Sequence, residues 1–256
     1  MLLAVDVGNT QTHLGAFEGE DLACDWRLTT VPSATADELA ATISDLLSLE
    51  GLSFGSLDGA IVSTVVPQLG PEYEHLTERH TGKRCLLVGP TLKTGMPILV
   101  DNPLELGADR LVNAVAAHAK VGGACVTVDF GTSTNFDVVS HAGEYLGGVI
   151  GPGVEVSLEA LTARAAKLPR IDLSSPEGPI GKHTTAAIQS GFAYGFAGLV
   201  DGIDRRLADE LDDQPTFIAT GGLAHTIAPL CETIDEVDEL LTLRGLQLIY
   251  DRNRGT

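Results

Sequence analysis

Two short segments carry the residue types that hold phosphate. Asp6-Val-Gly8-Asn9-Thr10 and Asp129-Phe-Gly131-Thr132-Ser133 each follow an apolar run and precede a second, alternating one. The glycines permit a tight turn and close backbone approach, while Asn9, Thr10, Thr132 and Ser133 offer amide and hydroxyl donors that need no positive charge. Asp6 and Asp129, at the strand ends, are placed to hold a hydrated Mg²⁺ or a monovalent cation beside the same phosphates. A single Asp-x-Gly is ordinary turn punctuation. Two copies with matching flanks, about half a chain apart, indicate a duplicated phosphate clamp.

A third glycine cluster, Thr220-Gly221-Gly222, follows the apolar run Thr216–Thr220 and precedes a helix, which is where α/β proteins bind nucleotides. A fourth, Gly147–Gly153, reads as either a backbone cradle or a sheet-to-helix bend. Gly178–His183 is no P-loop, because Pro176 stands where the first glycine is required and His183 follows Lys182. Between the halves, Gly107-Ala-Asp109-Arg110 opens a helix, where an Arg in the first turn is disfavoured by the dipole. Asp109 and Arg110 then read either as a surface pair at a helix start or as a proton-accepting base beside a clamp for an anionic substrate. The seven histidines show no metal-ligand spacing, and His13, His75 and His80 read as surface or core residues.

These residues need a scaffold. Each half is expected to open with a three-stranded antiparallel meander and to continue as helices alternating with short strands, a duplicated α/β architecture. Thr35-Ala-Asp-Glu38 is a capping box for a helix bearing Leu39, Ile43, Leu46 and Leu47, closed by Gly51. Strands are expected at 59–64, 84–88 and 216–220, and helices at 108–119, 154–166, 185–211 and 239–250. The boundary is placed near residue 119, giving domains 1–119, with the first phosphate loop and an interdomain helix, and 120–256, with the second phosphate loop and the adenosine region.

Composition narrows the function classes. The chain has 256 residues, 44% hydrophobic, with 16 Lys plus Arg against 35 Asp plus Glu and a net charge of −19. That composition folds, and that charge repels nucleic acid and anionic membranes. Cys24, Cys85, Cys125 and Cys231 are scattered and read as small hydrophobes rather than a disulfide framework or a zinc ribbon. The first residues lack the basic start of a signal peptide and no apolar run is long enough to span a membrane, so a cytoplasmic location is expected.

Taken together, Asp6–Thr10, Asp101–Pro103, Gly107–Arg110, Asp129–Thr132, Tyr145–Gly148, Pro152-Gly153, Ser157–Leu161, Gly181-Lys182 with Thr184, Gln189–Gly191, Thr220–Gly222 and Leu241–Gly245 closely resemble the type III pantothenate kinase family. The resemblance covers nearly the whole chain. It implies an actin-like (ribonuclease H-like) fold of the acetate kinase, sugar kinase, Hsp70 and actin superfamily. It also implies ATP-dependent phosphorylation of pantothenate, Mg²⁺, a monovalent cation such as K⁺ or NH₄⁺, and a homodimer with composite active sites. By resemblance, Asp109 is the general base, and Gly107 and Arg110 contact substrate. Asp6, Gly8, Asn9 and Thr10 form the first phosphate loop, with Asp6 associated with Mg²⁺ through water. Gly131 and Thr132 form the second loop, Gly221 and Gly222 face the nucleotide, and Asp129 binds the monovalent cation. Thr184 reaches the pantothenate site of the neighbouring subunit. Many members have Tyr before Asp-Asn-Pro. Here that substrate-binding position is Val100, so a hydroxyl contact is lost and pantothenate affinity is affected rather than chemistry. Two rival readings keep the hairpins: another small-molecule kinase or polyphosphate hydrolase of the superfamily, and a non-catalytic regulator on this scaffold.

Overall fold

The computed structural model describes residues 1–89, 92–165, 169 and 171–254, which form two compact units. Unit 1 comprises residues 1–96, 101–116 and 242–256, and unit 2 residues 97–100 and 117–241. Unit 1 begins with the strands β1 (Leu2–Val7), β2 (Gln11–Glu18) and β3 (Asp21–Thr29), an antiparallel meander. It continues with helix α1 (Ala36–Leu49), β4 (Gly59–Thr64), α2 (Leu69–Thr81) and β5 (Cys85–Leu87), and then a 3₁₀ turn, Pro103–Glu105, leads into α3 (Ala108–Val121). The strand order is β3-β2-β1-β4-β5, with β4 and β5 parallel to β1.

Unit 2 repeats this plan. Its meander is β6 (Cys125–Phe130), β7 (Ser133–Val139) and β8 (Tyr145–Pro152), followed by α4 (Val154–Arg164), α5 (Thr184–Glu210), β9 (Thr216–Thr220), α6 (Ala224–Ile227) and β10 (Glu236–Val237). The strand order is β8-β7-β6-β9-β10, again with the last two strands parallel to the first. Duplication expected from two Asp-x-Gly segments is therefore duplication of a whole sheet. The closing helix α7 (Leu241–Asn253) belongs, from residue 242 on, with unit 1.

The central strands read as continuous apolar runs because both of their faces are covered. On one face of the first sheet, Val5, Val7 and Leu14 pack with Ile43 and Leu47 of α1 and with Leu69, Tyr73 and Leu76 of α2. On the other face α7 lies so close that a Cβ on Gly15 would meet Leu243, and one on Gly59 would meet the Tyr250 ring. In unit 2, Val126, Val128, Phe136 and Val138 pack against Ala193, Phe196, Ala197 and Val200 of α5. Each such fully buried aliphatic or aromatic side chain contributes about 1.5–3 kcal/mol.

Local signals explain most element ends. The capping box forms as expected: Glu38 N–H donates to Thr35 Oγ1, and Thr35 N–H donates to Glu38 Oε2 at 2.9 Å. Gly51, at φ +71°, follows the helix end. The helix at 185–211 begins one residue earlier, at Thr184, because His183 caps it through Nδ1, which accepts from Ala186 N–H. The helix at 239–250 instead spans Leu241–Asn253. Asp238 causes the shift: its N–H bonds to Ala219 O and its carboxylate accepts from Leu240 N–H, holding 239 and 240 in a turn. The helix expected over 154–166 ends at Arg164, and Ala166 lies outside the described residues. Cys85 and Cys125 are buried, while Cys24 and Cys231 are half-buried free thiols.

Candidate active site

In unit 1, the turn between β1 and β2 is closed by Gly8 N–H donating to Gln11 O at 3.0 Å. A Cβ on residue 8 would stand 2.9 Å from that same oxygen, so the turn needs glycine. Asn9 and Thr10 are exposed at its tip, and Thr30 N–H ties the tip down by donating to Thr10 O at 2.9 Å. Asp6 is half-buried on the penultimate residue of β1, paired in register with Ser63 of β4 and His13 of β2. Ser63 is fully buried and, among the described residues, its Oγ has no hydrogen-bond partner. A buried hydroxyl beside a carboxylate at a strand end suits a hydrated cation, whose waters need protein oxygens around them.

Also in unit 1, Asp109 and Arg110 lie in the first turn of α3. Asp109 folds back on its own helix start, with Oδ1 accepting from Arg110 N–H at 2.9 Å. Gly107 makes room for this, since a Cβ there would lie 2.6 Å from Asp109 Oδ1. Burial pushes the Asp109 carboxyl above its ordinary range, against the opposing pull of the Arg110 N–H and guanidinium. A carboxylate held this way is a stronger base than a solvated one. The Asp101-Asn-Pro103 segment before it is a 3₁₀ turn capped by Asn102, whose Oδ1 accepts from Leu104 N–H and whose Nδ2 donates to Glu105.

In unit 2, three glycine-rich segments separate in sequence converge on the end of β6. The β6–β7 turn is closed by Gly131 N–H donating to Ser133 O at 3.0 Å, leaving Gly131 and Thr132 exposed. Gly221 adopts φ +91° after β9, and a Cβ on it would stand 2.4 Å from Asp129 Oδ1 and 2.7 Å from the backbone of Phe130. Gly153, which the sequence left open between a cradle and a bend, starts α4 against the same turn: a Cβ there would sit 2.0 Å from Thr132 O. Asp129, Gly131, Thr132 and Gly221 are thus brought together, with Gly222 alongside in open space. Carbonyls and a half-buried carboxylate packed this tightly form an oxygen-rich surface suited to a hard cation. Among the described residues no group of three or more His, Cys, Asp and Glu side chains could hold a metal ion.

Two substrate candidates stand elsewhere in unit 2. Val100 belongs to a segment added alongside β8, where Tyr145 N–H donates to Pro97 O and Leu99 N–H donates to Tyr145 O, both at 2.8 Å. The nearest atom to a Cβ on Gly147 would be Val100 Cγ1 at 3.8 Å, so the side chain lies over the glycine-rich part of β8. Thr184 is exposed at the first position of α5. Sequence reasoning missed a buried polar network in unit 2, where Asp204 accepts from Thr233 Oγ1 at 2.6 Å and Asp201 accepts from the backbone of Glu232 and Thr233. Its members are separated by about thirty residues and follow no pattern that single-sequence reading detects.

A family model described as type III pantothenate kinase matches residues 2–206. A type III pantothenate kinase of Geotalea uraniireducens (strain Rf4) is 50% identical over 256 residues, covering 100% of both chains. One of Anaeromyxobacter sp. (strain Fw109-5) is 51% identical over 254 residues, 99% of this chain and 100% of its own. Among solved structures, a putative N-acetylglucosamine kinase from Porphyromonas gingivalis has a TM-score of 0.56 at 14% identity, covering 99% of each chain, a likeness of fold alone. With two Asp-x-Gly turns on a duplicated five-stranded plan and identity of this level over its full length, the chain belongs to the type III pantothenate kinase family.

Proposed function

We propose that this member of the family transfers the γ-phosphoryl group of ATP to the primary hydroxyl of pantothenate with Asp109 as general base. The observation that carries this assignment is the fold-back of Asp109 onto Arg110 N–H over Gly107, which fixes the carboxylate at the helix start, where it would accept the hydroxyl proton. Arg110 would pair with the substrate carboxylate, and Gly107 lets substrate approach the backbone. The turns at Gly8–Thr10 and Gly131-Thr132, with Gly221 and Gly222, would cradle the nucleotide through backbone N–H groups and hydroxyls, which is how a chain of net charge −19 holds a polyanion. Phosphoryl transfer depends on positioning and charge neutralisation, so these parts suffice.

Asp6, with Ser63 beside it, would hold Mg²⁺ through water, and Asp129, packed on the Gly221 turn, would hold K⁺ or NH₄⁺. When bound, these ions neutralise the charge on the transferring phosphates. We assign the functional halves as residues 1–119 and 120–256, each contributing one phosphate turn, the second also the adenosine region. A homodimer with shared sites is supported by α5. Its Ala193, Phe196, Ala197 and Val200 are buried, while Gly191, Tyr194, Gly195 and Gly198 form an exposed stripe at helical spacing. Thr184, exposed on the same helix, would then reach the partner's pantothenate. Val100 would border that substrate without the hydroxyl many relatives offer. The acidic surface favours small molecules over nucleic acid or anionic membrane, and the substrates are those of the cytoplasm. Among the described residues no helix is long and apolar enough to cross a membrane. Steady-state assay of Asp109→Asn tests the assignment: turnover should fall while ATP binding is retained.

A further inference from the structure

Two side chains in the row that crosses Asp6, His13 and Arg27, are not used by the roles assigned so far. Register across the first sheet places Ser63, Asp6, His13 and Arg27 side by side on β4, β1, β2 and β3. Directly opposed residues of neighbouring strands point to the same face, and in an antiparallel pair their Cβ atoms are about 4.5–5.5 Å apart. The His13 ring therefore flanks the Asp6 carboxylate. His13 is not loose: its Nε2 is 2.6 Å from Asp25 Oδ2, and the side chain is only 13% exposed. Asp25 lies on the same face of β3, two residues before Arg27. The ring is thus largely covered while its anchor, Asp25, stands on the exposed edge strand β3, so the pair fixes where the ring lies on the sheet face.

We propose that His13, anchored by Asp25, is a positioning residue for Asp6. Its ring limits the rotamers open to the Asp6 carboxylate and so keeps that carboxylate aimed where metal-bound water must sit. The pattern is that of outer-shell groups which orient a ligating side chain, and whose removal typically costs about 10–100-fold in metal affinity. This rests on the reading of Asp6 as the Mg²⁺-associated acid, and the experiment separates the two.

Mn²⁺ is titrated by electron paramagnetic resonance into the full-length protein with the non-hydrolysable β,γ-imido analogue of ATP, for wild type, His13→Val, Asp25→Asn, Asp6→Asn and the double variant Asp6→Asn/His13→Val. Thermal melts check each fold. The expected result is Mn²⁺ affinity lowered about tenfold or more by His13→Val, lowered less by Asp25→Asn, and no lower in the double variant than in Asp6→Asn alone. A merely structural His13 would shift the melt and leave Mn²⁺ affinity in place. If Asp6→Asn weakens Mn²⁺ binding but His13→Val stays within twofold of wild type, the positioning role is overturned while the reading of Asp6 stands. If Asp6→Asn itself has no effect, that reading falls and takes the positioning role with it.

Discussion

Replacing Gly221 by Ala separates turn geometry from composition, because its neighbour Gly222 is an internal control. At residue 221 the backbone sits at φ +91°, and an added Cβ would lie 2.4 Å from Asp129 Oδ1 and 2.7 Å from both N and O of Phe130. The Asp129 side chain can swing away, but the Phe130 backbone belongs to β6 and cannot move without disturbing its pairing with Thr134 of β7. A left-handed backbone costs an L-residue roughly 1–2 kcal/mol, and overpacking typically adds about 1–3 kcal/mol, so Gly221→Ala should lose about 2–5 kcal/mol. For a chain of this size about 2–4 °C is lost per kcal/mol, which places the melting midpoint at least about 4 °C lower. At residue 222 a Cβ would meet nothing within 4 Å. Gly222→Ala should therefore stay within about 0.5 kcal/mol of wild type, as surface substitutions do. The assay is thermal melting followed by circular dichroism, with nucleotide titration on the same samples. Gly221→Ala should also bind ATP more weakly, because relief of the clash moves Asp129. Equal melting of the two variants would refute the packing of this turn on β6.

Asp109→Asn should lower kcat by at least about a hundredfold with ATP affinity nearly unchanged. Because burial raises the Asp109 pKa, its ionisation opposes folding: the stability it permits is full below the ordinary carboxylate range and is lost as pH rises through the raised value. The Asn variant should therefore melt at or above wild type at neutral pH, and a lower melt would contradict the burial argument. Asp204, fully buried and pushed up to about 7 from 3.8, has the same sign, so the advantage of Asp204→Asn in melting should grow from about pH 4 to 7 and then level off. An advantage constant across that range would show the group titrating normally. Mixing Asp109→Asn subunits with a Thr184→Ala variant should restore activity if sites are shared across a dimer, since one site of each mixed pair regains both residues; no recovery after verified subunit exchange would leave each site within one chain.

Much of this was legible in the sequence because it rests on short-range chemistry. The Asp-x-Gly turns, the Thr35/Glu38 capping box and the strand at 59–64 each announce themselves within a few residues, and the structure places them as read. The resemblance supplied the roles, because no spacing rule distinguishes Asp109 as a base from Asp109 as a helix-start acid. Long-range contacts were not legible. Gly153 beside Thr132 and Gly221 beside Asp129 are glycine for reasons that appear only when distant segments meet. The start of α7 shifted because Asp238 is held by Ala219, a strand residue far from it in sequence. His13 looked like any isolated histidine until strand register set it beside Asp6.

The most direct test of the central claim is to identify the product. Purified protein is incubated with ATP, Mg²⁺ and K⁺, with and without pantothenate, and ³¹P nuclear magnetic resonance is recorded alongside ADP release. A phosphomonoester resonance of 4′-phosphopantothenate is expected in step with ADP, only when pantothenate is present, and faster with K⁺ or NH₄⁺ than with Na⁺. ADP released at the same rate without pantothenate, accompanied by inorganic phosphate, would contradict it and mark the protein as a hydrolase.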